Sequence, residues 1–200
     1  YWTHFWVMKA GSDIEPLLAD PAVEDAYAAQ VTLSNVPSFA LGFLRAQHRL
    51  GWTKRPEADL ENAFDQVSDR ADIMPSQASL EATLALPPTQ SVTMMNFLEY
   101  YPDDRGEKAK ARKAYLRYGA EAMKAVHAVG GQLLFAGQVE RVLVEAKGQA
   151  TPGQWDDLAA MTYPDPGAIS SMEQIPDYVA ALGDRDASLK RTHVIATVAD

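Results

Sequence analysis

A chain of 200 residues with 47% hydrophobic and 22% charged side chains has the balance of an ordinary globular protein, long enough for one sizeable core or a compact domain plus an extension. Its net charge of −9 argues against non-specific nucleic-acid binding, which needs Lys and Arg to displace counterions from phosphates. The lack of cysteine excludes disulfides, thiolate nucleophiles and cysteine-ligated zinc or iron–sulfur centres.

The chain opens on an aromatic cluster, Trp2, Phe5 and Trp6 with His4 and Lys9. It is expected to pack on a domain; the alternative is the interfacial end of a hydrophobic segment lying upstream. The chain is expected to be cytoplasmic, or membrane-anchored or exported if such a segment exists, and membrane contact is expected only in that case.

Residues 1–88 read as a helical, partly irregular extension. A short helix opens near Asp13 and Pro16. Pro21 then precedes AVEDAYAAQV, whose Val23, Tyr27 and Val31 predict a helix face. Asn35-Val36-Pro37 breaks it. Ser38 is a cap for FALGFLRAQHRL, where Phe39, Phe43, Ala46 and Leu50 recur at helical spacing and Gly51 ends the run. Pro56 starts a further helix carrying Leu60, Phe64 and Val67. Ser76 caps ASLEATLAL, and Pro87-Pro88 marks the boundary before a domain over 89–200.

The second part is more regular. SVTMMNFLEYY, Ser91 to Tyr101, is bounded by prolines and reads as a largely buried strand. A helix over about 107–129 follows, with Ala111, Tyr115, Tyr118, Ala122, Val126 and Val129 in one stripe and a stop at Gly130-Gly131. Gln132 to Glu145 predicts a long strand with a bulge near Gly137. Trp155 to Tyr163 is the next strand. Asp165-Pro166 opens a helix carrying Met172, Ile175, Tyr178, Val179 and Leu182, which Pro176 splits, and Thr192 to Val198 is the last strand. The order βαββαβ with both helices on one face predicts an α+β protein: a ferredoxin-like sandwich with a helical N-terminal extension. Its open sheet face must be covered, by a second copy in a homodimer or by the first 88 residues.

These residues resemble a known family. Met94-Met95-Asn96-Phe97-Leu98 on the first strand, Tyr115-Leu116-Arg117-Tyr118-Gly119 on the helix, Gly130-Gly131, Phe135-Ala136-Gly137, Tyr163-Pro164, and Tyr178 with Arg185 are similar, in order and spacing, to the domain-of-unknown-function family 1330. The resemblance spans about 91–200. It implies a small ferredoxin-like dimer of the dimeric α/β-barrel superfamily. Relatives there include cofactor-free monooxygenases, haem-degrading enzymes, peroxidases and isomerases, and fold alone does not choose among them. The first 90 residues depart from the compact pattern and could cover the cleft where a ligand would sit.

Four residues are candidate ligand contacts. Asn96 is an amide in an otherwise apolar strand, able to hold a carbonyl or a water. Tyr118 lies on the stripe facing the sheet, with Tyr115 beside it, and Tyr163 ends a strand. Arg185 could bind a carboxylate, or pair with Asp184 or Asp186. Asp156 and Asp157 are adjacent and point apart in a strand, so they are no catalytic pair. His127 near a helix end is expected to be charged, His48 solvated, and Glu99 and Glu145 on the surface. Neither His127 nor His193 belongs to a metal-ligand pattern, and no cofactor is expected. Two functions fit: a small-molecule binder or cofactor-independent oxygenase or isomerase, and an assembly protein docking through residues 1–88 on a larger, possibly membrane-bound, partner.

Overall fold

The computed structural model describes residues 3–59, 72–147 and 155–199. The elements are α1 (Glu15–Leu18), β1 (Ala28–Leu33), α2 (Ser38–Arg49), α3 (Gln77–Leu84), β2 (Val92–Tyr100), α4 (Ala109–Ala128), β3 (Gln132–Val144), β4 (Asp157–Tyr163), α5 (Gly167–Met172), α6 (Pro176–Ser188) and β5 (Leu189–Thr197). The fold is mixed α+β. Five strands form one sheet in the order β1-β3-β4-β2-β5, and every neighbouring pair is antiparallel.

β2 lies between β4 and β5 and alternates strictly. Val92, Met94, Asn96, Leu98 and Tyr100 face α4 and α6; Met95 and Phe97 face away. On the helical side, Val126 and Val129 of α4 pack with Tyr163, Ala168 and Met172. Nearer the other end, Ile73, Leu98, Tyr100 and Leu189 form a second cluster with Tyr115 against it. Pro176 does split the last helical region, giving α5 and α6. Ser76 caps α3 by accepting from the Ser79 amide at 3.2 Å.

The first part of the chain differs from its reading in one element and one cap: Ser38 is the first residue of α2, Pro37 stands at the cap and no side chain caps the helix. AVEDAYAAQV holds no helix: Ala28–Leu33 is β1, which extends the sheet by pairing with β3 from Ala28↔Val144 to Leu33↔Gly137. Local periodicity loses here to tertiary pairing, because Val31 and Thr32 suit a pleated edge and Gln30 and Thr32 both donate to Glu140. The expected bulge near Gly137 is displaced: the β3–β4 register shifts between Leu133 and Phe135 instead. Gly137 serves close approach, since a Cβ there would stand 2.5 Å from the Thr32 carbonyl oxygen. The helix expected around Leu60, Phe64 and Val67 lies outside the described residues.

The N-terminal segment packs on part of the sheet face away from the helices. Phe97 meets the rings of Phe5 (6.2 Å), Tyr27 (6.1 Å) and Trp155 (5.7 Å). Among the described residues no helix is long and apolar enough to cross a membrane.

Candidate functional site

Between the sheet and the pair α4–α6, tyrosines converge. Ring centres run from Tyr100 to Tyr115 (5.5 Å), to Tyr118 (5.3 Å) and to Tyr178 (6.1 Å). Tyr163 enters from the end of β4, close enough for its hydroxyl to feel that of Tyr118. The helical spacing of Tyr115 and Tyr118 sets both over the sheet, and Tyr178 comes from α6, which packs along α4. Burial raises the pKa of Tyr100, Tyr115, Tyr163 and Tyr178, each further raised by a neighbouring tyrosine. These phenols are therefore neutral: hydrogen-bond donors and acceptors, not bases.

Asn96 faces the same space from the sheet. Its amide nitrogen donates to the carbonyls of Met94 (3.2 Å) and Ala159 (3.4 Å), which leaves its side-chain oxygen as an acceptor. Apart from the contact of Tyr118 with Tyr178, the hydroxyls of Tyr115, Tyr118, Tyr163 and Tyr178 have no hydrogen-bond partner among the described residues.

Arg185 makes the pairing with Asp186 that its neighbours offered, and a further set of contacts besides. Its guanidinium donates to the Ile73 carbonyl at 2.5 Å, lies 3.3 Å from the Met74 sulfur and pairs with Asp186 at 3.3 Å. It clamps the segment 72–74, whose Asp72 carbonyl accepts from the Thr192 amide and whose Ile73 closes that end of the core. Tyr118 stands in a row with Tyr115 and Tyr178 and near Tyr163, Asn96 lies on the same face of the sheet further along β2, since Tyr163 pairs with Val92, and Arg185 is near enough to Tyr115 and Tyr178 to oppose the rise in their pKa.

Sequence reasoning passed over a buried acid beside this row. Asp157 faces the helices and accepts from Tyr100 Oη and from Arg112 Nε, both at 3.0 Å, while its Oδ1 is buried without a partner. Burial raises its pKa against the lowering effect of Arg112 and Tyr100. The signal was the offset of Asp156 and Asp157: Asp156 turns the other way, accepting from the Tyr100 amide and Lys108. Glu99, expected on the surface, is buried and held by Lys190 (2.8 Å) and Arg191 (2.5 Å), which lower its pKa against its burial. A small pocket of about 30 Å³ opens near Met94, lined by Leu80, Leu84, Ile169 and Glu173, where burial pushes the Glu173 carboxyl up to about 7. It has room for about one water.

His127 and His48 also differ from expectation. His127 is buried, and its Nδ1 donates to the Met123 carbonyl at 2.8 Å, so Nε2 carries the lone pair and has no partner. His48 on α2 is half-buried with Nδ1 enclosed. Burial lowers the pKa of His127, and Arg45 and His48 lower it further against the Met123 bond. A folded-state pKa below the unfolded value means that the unfolded chain takes up the proton first, so stability present above about pH 6.5 is lost as pH falls below it. Through His127 the urea midpoint should therefore drop between about pH 7.5 and 5.5, set against Glu173, whose raised carboxyl takes up its proton in the folded state over the same window. The drop should be smaller in His127→Asn, with the remainder from His193, whose pKa burial and Arg191 lower in the same way. An unchanged pH slope in that variant would refute the role of His127.

Among the described residues no group of three or more His, Asp or Glu side chains is placed to hold a metal ion. No family model matches the chain, and no curated protein matches it. Solved structures do. RPA0582 of Rhodopseudomonas palustris, described as a protein of unknown function, superposes with a TM-score of 0.54 at 22% identity, over 66% of this chain and 98% of that one. Its methylated form gives 0.52 at 23% identity, over 64% and 94%. At such identity the likeness shows the fold alone, and about a third of this chain lies beyond it.

Proposed function

We propose that the chain binds a small neutral molecule in the tyrosine-lined space between the sheet and α4–α6. The observation that carries this is the row of tyrosine rings from Tyr100 through Tyr115 and Tyr118 to Tyr178, with the Asn96 amide on the same face of the sheet. Such a set suits a largely apolar molecule bearing a carbonyl or hydroxyl: ring walls supply contact, and two or three hydrogen bonds fix orientation. Asn96, Tyr118 and Tyr163 are the binding residues, and Arg185 acts mainly by holding residues 72–74 at the rim. Any chemistry there would be cofactor-independent, a proton shift or oxygenation beside a carbonyl, with Tyr118 donating to the carbonyl oxygen.

The unit from β2 to β5 is read as ferredoxin-like, of the dimeric α/β-barrel kind that family 1330 exemplifies. The antiparallel order β3-β4-β2-β5 and the likeness to RPA0582 support that reading. Pairing of two copies through the helix-free face belongs to the same proposal, with Phe5 and Tyr27 forming part of the contact.

Thermal unfolding with 4-hydroxyacetophenone, a neutral ring carrying both a carbonyl and a hydroxyl, tests the site. Binding to the native state alone raises the melting temperature by mass action. The wild type should be stabilised, and Asn96→Ala and Tyr118→Phe should respond much less. Tyr118→Phe alone should change stability by less than about 1 kcal/mol, because its hydroxyl serves a ligand more than the fold. Equal responses in all three proteins would count against these residues.

A further inference from the structure

Between Asp25 and Glu57 the chain has no acidic residue and four Lys or Arg, in a protein of net charge −9. α2 lies in the middle of this stretch. It packs on α4 with one side, where Ala40, Leu41, Leu44 and His48 are partly buried. Its outer side is not polar. Phe39, Phe43, Ala46 and the capping Leu50 fall within about 60° of one another at helical spacing. Phe39 is 80% exposed, Phe43 57%, Leu50 62% and the following Trp52 68%. Arg45 and Arg49 flank this ridge on one edge, Lys54 follows Trp52, and all three are exposed with no ion pair to a described residue. Arg55, in contrast, is committed to Asp165.

We propose that α2 and Trp52 dock this protein on an anionic lipid bilayer surface. The inference concerns a face outside the ligand cleft and does not depend on the reading of that cleft. A continuous apolar ridge beside cations with no acidic partner among the described residues is what an interfacial helix presents: side chains enter the acyl boundary and cations reach the phosphates. Trp52 at the end of the helix suits the headgroup level. The stretch is basic in a chain of net charge −9, so an anionic bilayer favours this orientation over one that presents the chain's acidic stretches. A second copy fits less well. A two-fold pairing of α2 on α2 would bring Arg45 and Arg49 of both copies together, with no acid on either helix to answer them.

The test is sedimentation of the full chain with extruded vesicles, one set of phosphatidylcholine and phosphatidylglycerol in equal parts and one of phosphatidylcholine alone. The expected result is binding to the anionic set at least about tenfold stronger than to the neutral set, weakening with added salt. Arg45→Glu with Arg49→Glu should reduce it by about thirtyfold or more. Phe39→Ser with Phe43→Ser should reduce it by at least about tenfold. All four side chains are exposed, and far-UV circular dichroism confirms that the variants are folded; Arg45→Gln with Arg49→Gln replaces the reversal if it misfolds. Absent or charge-indifferent vesicle binding overturns the proposal, as does anionic binding that survives both pairs. A dimer by light scattering that the Phe39 and Phe43 pair abolishes also overturns it, in favour of a second copy.

Discussion

Phe97→Ala is expected to lower the stability of the fold by about 3–5 kcal/mol, the range for deleting a fully enclosed phenyl ring. Phe97 is 3% exposed and stands where three aromatic side chains from distant parts of the chain meet: Phe5 from the N-terminal segment, Tyr27 just before β1, and Trp155 just before β4. None of these partners can follow the retreating side chain without moving a strand, so the cavity relaxes little. The loss should also be directional. Tyr27 and Val31 anchor β1 through this cluster, and β1 is an edge strand with one neighbour. Amide hydrogen exchange of residues 28–33 should speed up by more than that of β2. Urea unfolding gives the global number and exchange gives the local one. A loss below about 1.5 kcal/mol with β1 protection unchanged would show that the cluster is not what fastens the N-terminal part to the sheet.

Arg112→Met should cost about 2–3 kcal/mol at neutral pH, below the value for a fully enclosed ion pair because Arg112 is itself partly solvated. The reason lies with the partner. Asp157 is buried, one of its oxygens has no hydrogen bond, and without the guanidinium only Tyr100 would face its charge. Its carboxyl pKa, already above the usual range, should climb further. The sign follows from that direction. A carboxyl whose folded pKa exceeds its unfolded value binds a proton more readily when folded, so the variant's deficit shrinks as pH falls through the raised pKa and is fully present above it. Asp157→Asn in the Arg112→Met background should recover most of the loss at pH 7. A deficit that is constant with pH and unrelieved by Asp157→Asn would mean that Arg112 acts through packing of its stem and its bond to Gln138.

Much of the second half was legible because its signals are local. The proline-bounded strand at β2, the stripe of α4, the Gly130 stop with φ of 86° and the split at Pro176 each follow from chain geometry. What was not legible depends on partners far along the chain. β1 is a strand because β3 outruns β4 and leaves an edge to fill, a fact no window around Ala28 contains. Asn96, Tyr118 and Tyr163 stand out in sequence because each is a polar group on an apolar face. The Asp186 partner of Arg185 was within reach of sequence, but its acceptor at the Ile73 carbonyl was not, being a backbone atom 112 residues away. Asp157 and Glu99 were overlooked for the same reason: carboxylates on a strand look like surface until their cations are placed. The stripe of α2 recurs at helical spacing, and its phenylalanines face outward; periodicity gives a face, and only tertiary structure says which way it points.

Native mass spectrometry of the protein purified gently from its source tests the binding claim most directly. The predicted result is a stoichiometric small-molecule adduct on the wild type that is lost from Asn96→Ala and reduced in Tyr118→Phe, while both variants stay folded. A wild-type chain that carries no adduct, or an adduct that both variants retain in full, would contradict a binding site between the sheet and α4–α6.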